Sequence, residues 1–251
     1  MTKHILQGRT EDEVLWWQRR GFLGAAAAWT AMGGFASAHA QQRSNIVDYT
    51  GDAMINGERL TRERTIQIGD SIQTGPGSNL IFVIGNASFQ VRQNTRFTVE
   101  RGPTLFTVSV LRLLTGGIAA VFGKGASRQV STPTLTAGIR GTGIYAEVFE
   151  AQNFRSYFCN CYGTIDMNAG PDKAVSQSSY HQSFWGEVQP KNGRYLTAAN
   201  AINHTDEELE YLAKLVDQRT AWELQGRRGV KNGIGYMDEQ PMTMHPANQL
   251  K

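Results

Sequence analysis

Two cysteines and two histidines carry the side chains best suited to chemistry: Cys159, Cys161, His181 and His204. The cysteines stand in Ser156-Tyr157-Phe158-Cys159-Asn160-Cys161-Tyr162-Gly163, which reads as a strand or its tight bend. On a strand, residues i and i+2 point to one face, so both sulfurs can reach the same point. Two thiolates and two imidazoles make a closed tetrahedral set for one zinc or iron ion. The spacing is not that of a standard zinc finger. Two other states fit the same residues. One is a disulfide between Cys159 and Cys161, whose small ring would be strained and easily reduced. The other is a pair of free, buried thiols. Covalent haem attachment needs Cys-x-x-Cys-His, a pattern these cysteines do not make.

The elements that must position these residues follow from the rest of the chain. Its 251 residues are 40% apolar and 19% charged, with 27 Gly and 7 Pro. That balance supports one or two globular domains and excludes a disordered chain, a collagen and a multi-span membrane protein. A net charge of +3 supplies no large basic field, so no nucleic-acid partner is expected. From Ile66 to about Trp185, short alternating or apolar runs recur between turn clusters such as Thr74-Gly75-Pro76-Gly77-Ser78 and Gly85-Asn86. No helical period intervenes, so the expected fold is all-β, a sandwich or roll of short strands. The run 79–84 is apolar on both faces and reads as a central strand. Tyr49, Phe89, Phe97, Phe106 and Phe122 read as core. Gly116-Gly117 reads as a break between two strands.

One C-terminal α-helix is expected over residues 206–220. Thr205 and Glu208 form a capping box, and Leu209, Leu212, Ala213 and Val216 follow helical spacing. His204 stands just before this helix, where it could simply belong to the cap. Residues 226–251 show no periodicity and read as a mobile tail. The division is therefore a leader over 1–40, a β domain over 41–185, an extension over 186–225, and the tail.

The leader rests on Arg19-Arg20, then an apolar stretch from Gly21 to Met32, then Ala38-His39-Ala40 as a small-x-small cleavage site. Gln18-Arg19-Arg20-Gly21-Phe22-Leu23 resembles the twin-arginine export signature, departing from it at Gln18 and Gly24. Cleavage near Ala40 predicts a periplasmic protein with no stable membrane span. An uncleaved anchor is the other reading, since residues 21–40 are about long enough to span a bilayer.

Three phrases resemble the FecR domain, the periplasmic part of bacterial iron-dicitrate signalling regulators. They are Gly69-Asp70-Ser71-Ile72-Gln73-Thr74-Gly75-Pro76-Gly77-Ser78, Phe89-Gln90-Val91-Arg92-Gln93-Asn94-Thr95, and the segment from Thr132-Pro133 to Ile139-Arg140-Gly141-Thr142-Gly143. They occur in the family's order and cover about residues 51–167. Within them, Arg140, Gly141 and Thr142 are candidates for a fold or partner role. The plain reading of Arg140 is a bond to loop carbonyls or a carboxylate; the other is an anion or partner contact. FecR regulators carry a cytoplasmic anti-sigma domain before a membrane helix, and only about 18 residues precede Arg19. The resemblance therefore implies an exported form without that domain. Exported FecR-like proteins also resemble this chain in the Cys-x-Cys strand and in Asn203-His204-Thr205-Asp206.

The expected function is a non-enzymatic periplasmic binding or sensing module that contacts an envelope protein or a cell-wall glycan. The alternative is a metal-binding or redox-responsive protein using Cys159, Cys161, His181 and His204. No nucleophile elbow, phosphate loop or HExxH helix points to an enzyme. Glu147 and Glu150, three apart on an expected strand, would face opposite sides.

Overall fold

The computed structural model describes residues 44–101, 108–125 and 128–226. Within them the strands run, in chain order, as β1 (Ile46–Thr50), β2 (Ala53–Ile55), β3 (Glu58–Arg59), β4 (Ser71–Thr74), β5 (Asn79–Ile84), β6 (Ala87–Val91) and β7 (Arg96–Arg101). Then follow β8 (Val108–Phe122), β9 (Arg128–Ser131), β10 (Thr136–Phe149), β11 (Arg155–Ala169), β12 (Asp172–Ser178), β13 (Gln182–Lys191) and β14 (Arg194–Ala199). Two helices close the described chain, α1 (Asp206–Lys214) and α2 (Ala221–Leu224). The protein is mostly β with its helical segment near the C-terminus. No helix among the described residues is long and apolar enough to cross a membrane.

The strands form one connected sheet, ordered β14-β13-β11-β10-β9-β8-β7-β4-β2-β3, with β1-β5-β6 branching from β8 and β12 from β11. All pairs are antiparallel except β8–β9. Branching is possible because β8, β10 and β11 are long enough to serve two partners in succession along one edge. β10 pairs with β9 over Thr136–Ile139 and with β8 over Gly143–Val148. β11 pairs with β13 over Ser156–Asn160 and with β12 over Gly163–Ala169.

Two glycine sites, the expected break at Gly116-Gly117 and the candidate Gly141, are bends inside these strands. Gly116-Gly117 lies within β8 instead of ending a strand, and Gly116 has φ +73°. A Cβ there would stand 2.2 Å from Thr95 Oγ1 and 2.5 Å from Thr95 Cα. Gly141 has φ +62° where the β10–β11 register shifts between Arg140 and Gly143, a bulge that redirects β10. Hydrogen bonds across the ladder hold each bent strand together, so a glycine here continues the strand.

Two further boundaries differ from the sequence reading. The division at residue 185 falls inside β13, because pairing with β14 carries the strand past Trp185. The helix expected over 206–220 is present but ends at Lys214, and a second, four-residue helix follows it at 221–224. After Lys214 the chain leaves helical geometry, with Asp217 at φ +54°. A second capping box, Thr220 with Glu223, then starts α2. The first box is present at α1: the Glu208 N–H donates to Thr205 Oγ1 (3.3 Å) and the Thr205 N–H to a Glu208 carboxylate oxygen (2.9 Å).

Strand alternation sorts side chains into two apolar clusters. On one face Leu80, Phe82, Phe89, Phe97 and Phe122 belong to the main core, with Phe82 stacked on both Phe89 and Phe97. Tyr49 packs against this core, and Phe106 lies outside the described residues. On the other face Ile81, Ala119, Val121, Tyr145, Tyr157, Cys159, Cys161 and Tyr162 meet Leu209, Leu212, Ala213 and Trp222 of the helical segment. β5 thus buries Ile81 on one side and Leu80 and Phe82 on the other. Small Ala119 lets α1 come close, and Ser88 Oγ donates to the Leu212 carbonyl at 2.7 Å.

Candidate metal centre

The period of β11 puts Cys159 and Cys161 on the face covered by the helical segment, both fully buried. Their neighbour Asn160 points the other way and donates to Ser176 Oγ (2.9 Å) and two carbonyls. His181 stands in the β12–β13 connection, one residue before β13. Its N–H donates to the Cys161 carbonyl at 3.0 Å, which seats it beside the cysteines. It does so at φ +29°, on the left-handed side that few residues other than glycine adopt. His204 comes from the connection between β14 and α1.

The four donor atoms lie within 4.8 Å of one another. The two sulfurs are 3.7 Å apart and not bonded. Cys159 Sγ is 3.4 Å from His181 Nδ1, and His181 Nδ1 is 3.1 Å from His204 Nε2. A tetrahedral ion with metal–sulfur bonds of about 2.3 Å and metal–nitrogen bonds of about 2.05 Å has S–S edges of about 3.8 Å, S–N edges of about 3.5 Å and N–N edges of about 3.3 Å. The three measured edges match these within a few tenths of an ångström. Sulfur and nitrogen ligands on different irons of a two-iron cluster would stand further apart, so the spacing suits one ion.

The outer nitrogens of both rings are committed. His204 Nδ1 lies 2.6 Å from the Ile202 carbonyl, which can only accept, so Nδ1 carries the proton. His181 Nε2 lies 2.8 Å from Asp206 Oδ1, and Asp206 Oδ2 accepts from Tyr180 OH at 3.0 Å. These partners assign Nδ1 of His181 and Nε2 of His204 as the lone-pair nitrogens in the neutral rings, and both turn toward the sulfurs. The rings are fixed by stacking as well. Trp222 lies on His181 (5.3 Å, 26°) and Tyr145 on His204 (4.7 Å, 14°). The His181 side chain is 3% exposed and that of Asp206 0%.

Electrostatics favour positive charge at the centre. Burial pushes the Cys159 thiol up, but the Cys161 hydrogen bond and the imidazoles of His204 and His181 outweigh it, holding Cys159 well below the usual thiol range. Burial, with the Cys159 sulfur and Asp206, pushes Cys161 well above it. Burial would lower His181, yet the Cys159 sulfur and the Asp206 carboxylate raise it to about 9. Burial keeps the Tyr145 and Tyr157 phenols neutral. A thiolate, a carboxylate and two inward-facing nitrogens form a buried site that a proton or a cation must neutralise.

The other sequence candidates sit apart from this cluster. Arg140 forks onto Asp166 Oδ2 (2.7 and 3.1 Å) on the exposed side of the β10–β11 pair. Gly141 is the bulge and Thr142 follows it in β10. Glu147 accepts from Tyr145 OH and Asn203 Nδ2, while Glu150 opens a 3-10 turn past the strand end. Arg19, Arg20, Ala40 and the tail from residue 227 lie outside the described residues. Sequence reasoning missed Asp206, Tyr180, Trp222 and Tyr145. From the sequence Asp206 reads only as the first residue of the helix, which it is; its place two residues after His204 is the signal for its second role.

No family model matches the sequence, and no curated protein matches it. Two crystal structures of a Parabacteroides distasonis protein described as a candidate anti-sigma factor, at 1.65 and 2.50 Å resolution, are similar. Each has a TM-score of 0.41, with 12% and 13% identity, covering 51% of this chain and 58% of theirs. The chain thus spans little more than half the length of those proteins. A likeness of that size fixes neither family nor function.

Proposed function

We propose that this protein is a non-enzymatic β module that holds one zinc-type divalent ion, zinc or ferrous iron, on Cys159, Cys161, His181 and His204. One observation carries the reading. Four buried donors gather within 4.8 Å of one another, three of their separations at tetrahedral edge lengths, and both imidazoles are turned inward by a second layer of acceptors, Asp206 and the Ile202 carbonyl. Four protein donors close the coordination shell and leave no position for a substrate, so the bound ion acts as a cross-link and not as a Lewis acid. The leader supports export, and the module would then work in the periplasm, contacting an envelope protein or a glycan.

The test is metal content. Protein purified without chelator under reducing conditions should hold about one ion per chain. The double change Cys159→Ser, Cys161→Ser should abolish it. A protein that is metal-free under those conditions and, purified without reductant, has a mass about two daltons below that of the dithiol would overturn the reading in favour of the disulfide. Export is tested by fractionation: a shortened chain in the periplasm supports it, and full-length protein in the cytoplasm contradicts it.

A further inference from the structure

We propose that the ion is a latch that holds the C-terminal helical segment, residues 203–226, against the sheet, so that metal supply sets whether the face beneath is covered. This rests on the metal reading above. The donors divide unevenly between two parts of the molecule. Cys159 and Cys161 belong to β11, and His181, in the short β12–β13 connection, is tied to β11 by its N–H on the Cys161 carbonyl, so three donors are anchored to the sheet. The segment supplies His204 and also Asp206, the first residue of α1, which fixes the His181 ring. An ion at the centre therefore bonds the segment to the sheet directly, while Asp206 reinforces the same junction.

The segment's other attachments are of ordinary kind. Leu209, Leu212, Ala213 and Trp222 pack on Ile81, Ala119, Val121 and Tyr162. Arg92 pairs with Glu208 at 2.7 Å, both partly exposed, and Asn203 bonds Glu147. α1 has nine residues and α2 four, too few to remain helical once undocked. The main core is a separate cluster built from the opposite faces of β5, β6 and β8 and contains none of the segment's residues. Losing the segment therefore leaves the sheet its own core, and the opening is local. It would bare Ala119, Val121, Tyr145, Cys161 and Tyr162, an apolar face now covered by this chain's own helices.

The experiment compares hydrogen exchange of the full chain loaded with zinc and stripped by a chelator under reductant, with zinc content measured in both. The expected result is at least about tenfold faster exchange in residues 203–226 on stripping, with β5 to β7 unchanged. His204→Ala should exchange there like stripped protein even when zinc is present, because the three sheet donors no longer hold the segment. Glu208→Gln, which removes the surface ion pair, should keep the zinc-dependent difference. Zinc bound at one per chain with unchanged exchange of 203–226 on stripping would overturn the latch and leave the metal site standing. Loss of β5 to β7 protection together with the segment would also overturn it. Failure to bind zinc at all would remove both readings.

Discussion

His181 concentrates the features that single out the centre: a positive φ, a buried ring, a carboxylate on Nε2 and a sulfur and an imidazole before Nδ1. Asp206 orients that ring without being a donor itself. Asp206→Asn should leave the fold intact and weaken zinc binding about 10–100-fold, read by competition with a chromophoric chelator; unchanged affinity would contradict the role assigned to it. A partly buried charge pair, Arg155 with Glu187, gives a pH test away from the candidate centre. Burial would raise the Glu187 carboxyl, but bidentate Arg155 (2.6 and 2.7 Å) and Thr197 outweigh it and hold Glu187 below the usual carboxylate range. A depressed folded pKa stabilises the protein above the unfolded carboxylate value and loses that contribution as pH falls through the folded one. Arg155→Met should cost about 2–4 kcal/mol near neutrality, since it strands a buried charge. The difference in Tm from wild type should shrink as pH drops below about 4. A constant gap across that range would refute the pairing. At this scale the sequence singled out the four residues that the structure brings together, because thiol and imidazole are scarce and chemically distinctive. It hid Tyr180, Trp222 and Tyr145, whose roles exist only once β10, the β12–β13 connection and α2 are brought together.

The strands and helices show where local rules suffice and where they fail. Thr205 with Glu208 announces α1 in the sequence and caps it in the structure. The apolar spacing through Val216 then suggests a longer helix, but the chain turns at Asp217 and restarts at the Thr220–Glu223 box. Both boxes are equally legible; the run of apolar positions masked the second. Thr205→Ala should cost about 1 kcal/mol in urea unfolding. Glycine misleads in the opposite direction. Gly116-Gly117 looks like a break because glycine is common in turns, yet pairing with β6, β7 and β10 on both sides of it carries β8 through. Gly116→Ala should cost about 3 kcal/mol or more, since its Cβ would meet Thr95 backbone at a disfavoured φ. Gly57→Ala has a similar φ of +82° but nothing within 4 Å, and should cost about 1–2 kcal/mol. Equal costs would show that the close approach to Thr95 contributes nothing.

Across the whole molecule, the all-β class was legible because alternation and turn clusters are local signals. Which strands would bend and serve two partners was not, because that depends on pairing between residues far apart in sequence. The separation of the buried side chains into two clusters follows from the same bends, and it places the candidate centre on the junction between sheet and helical segment. Stripping the ion should therefore lower Tm by several degrees and make the loss reversible on adding zinc back. The most direct measurement of the central claim is X-ray absorption on the protein as purified, or after zinc loading, together with its metal content. The account predicts about one ion per chain with two sulfurs near 2.3 Å and two nitrogens near 2.0–2.1 Å. A metal-free protein, or an ion surrounded by oxygen alone, would contradict it.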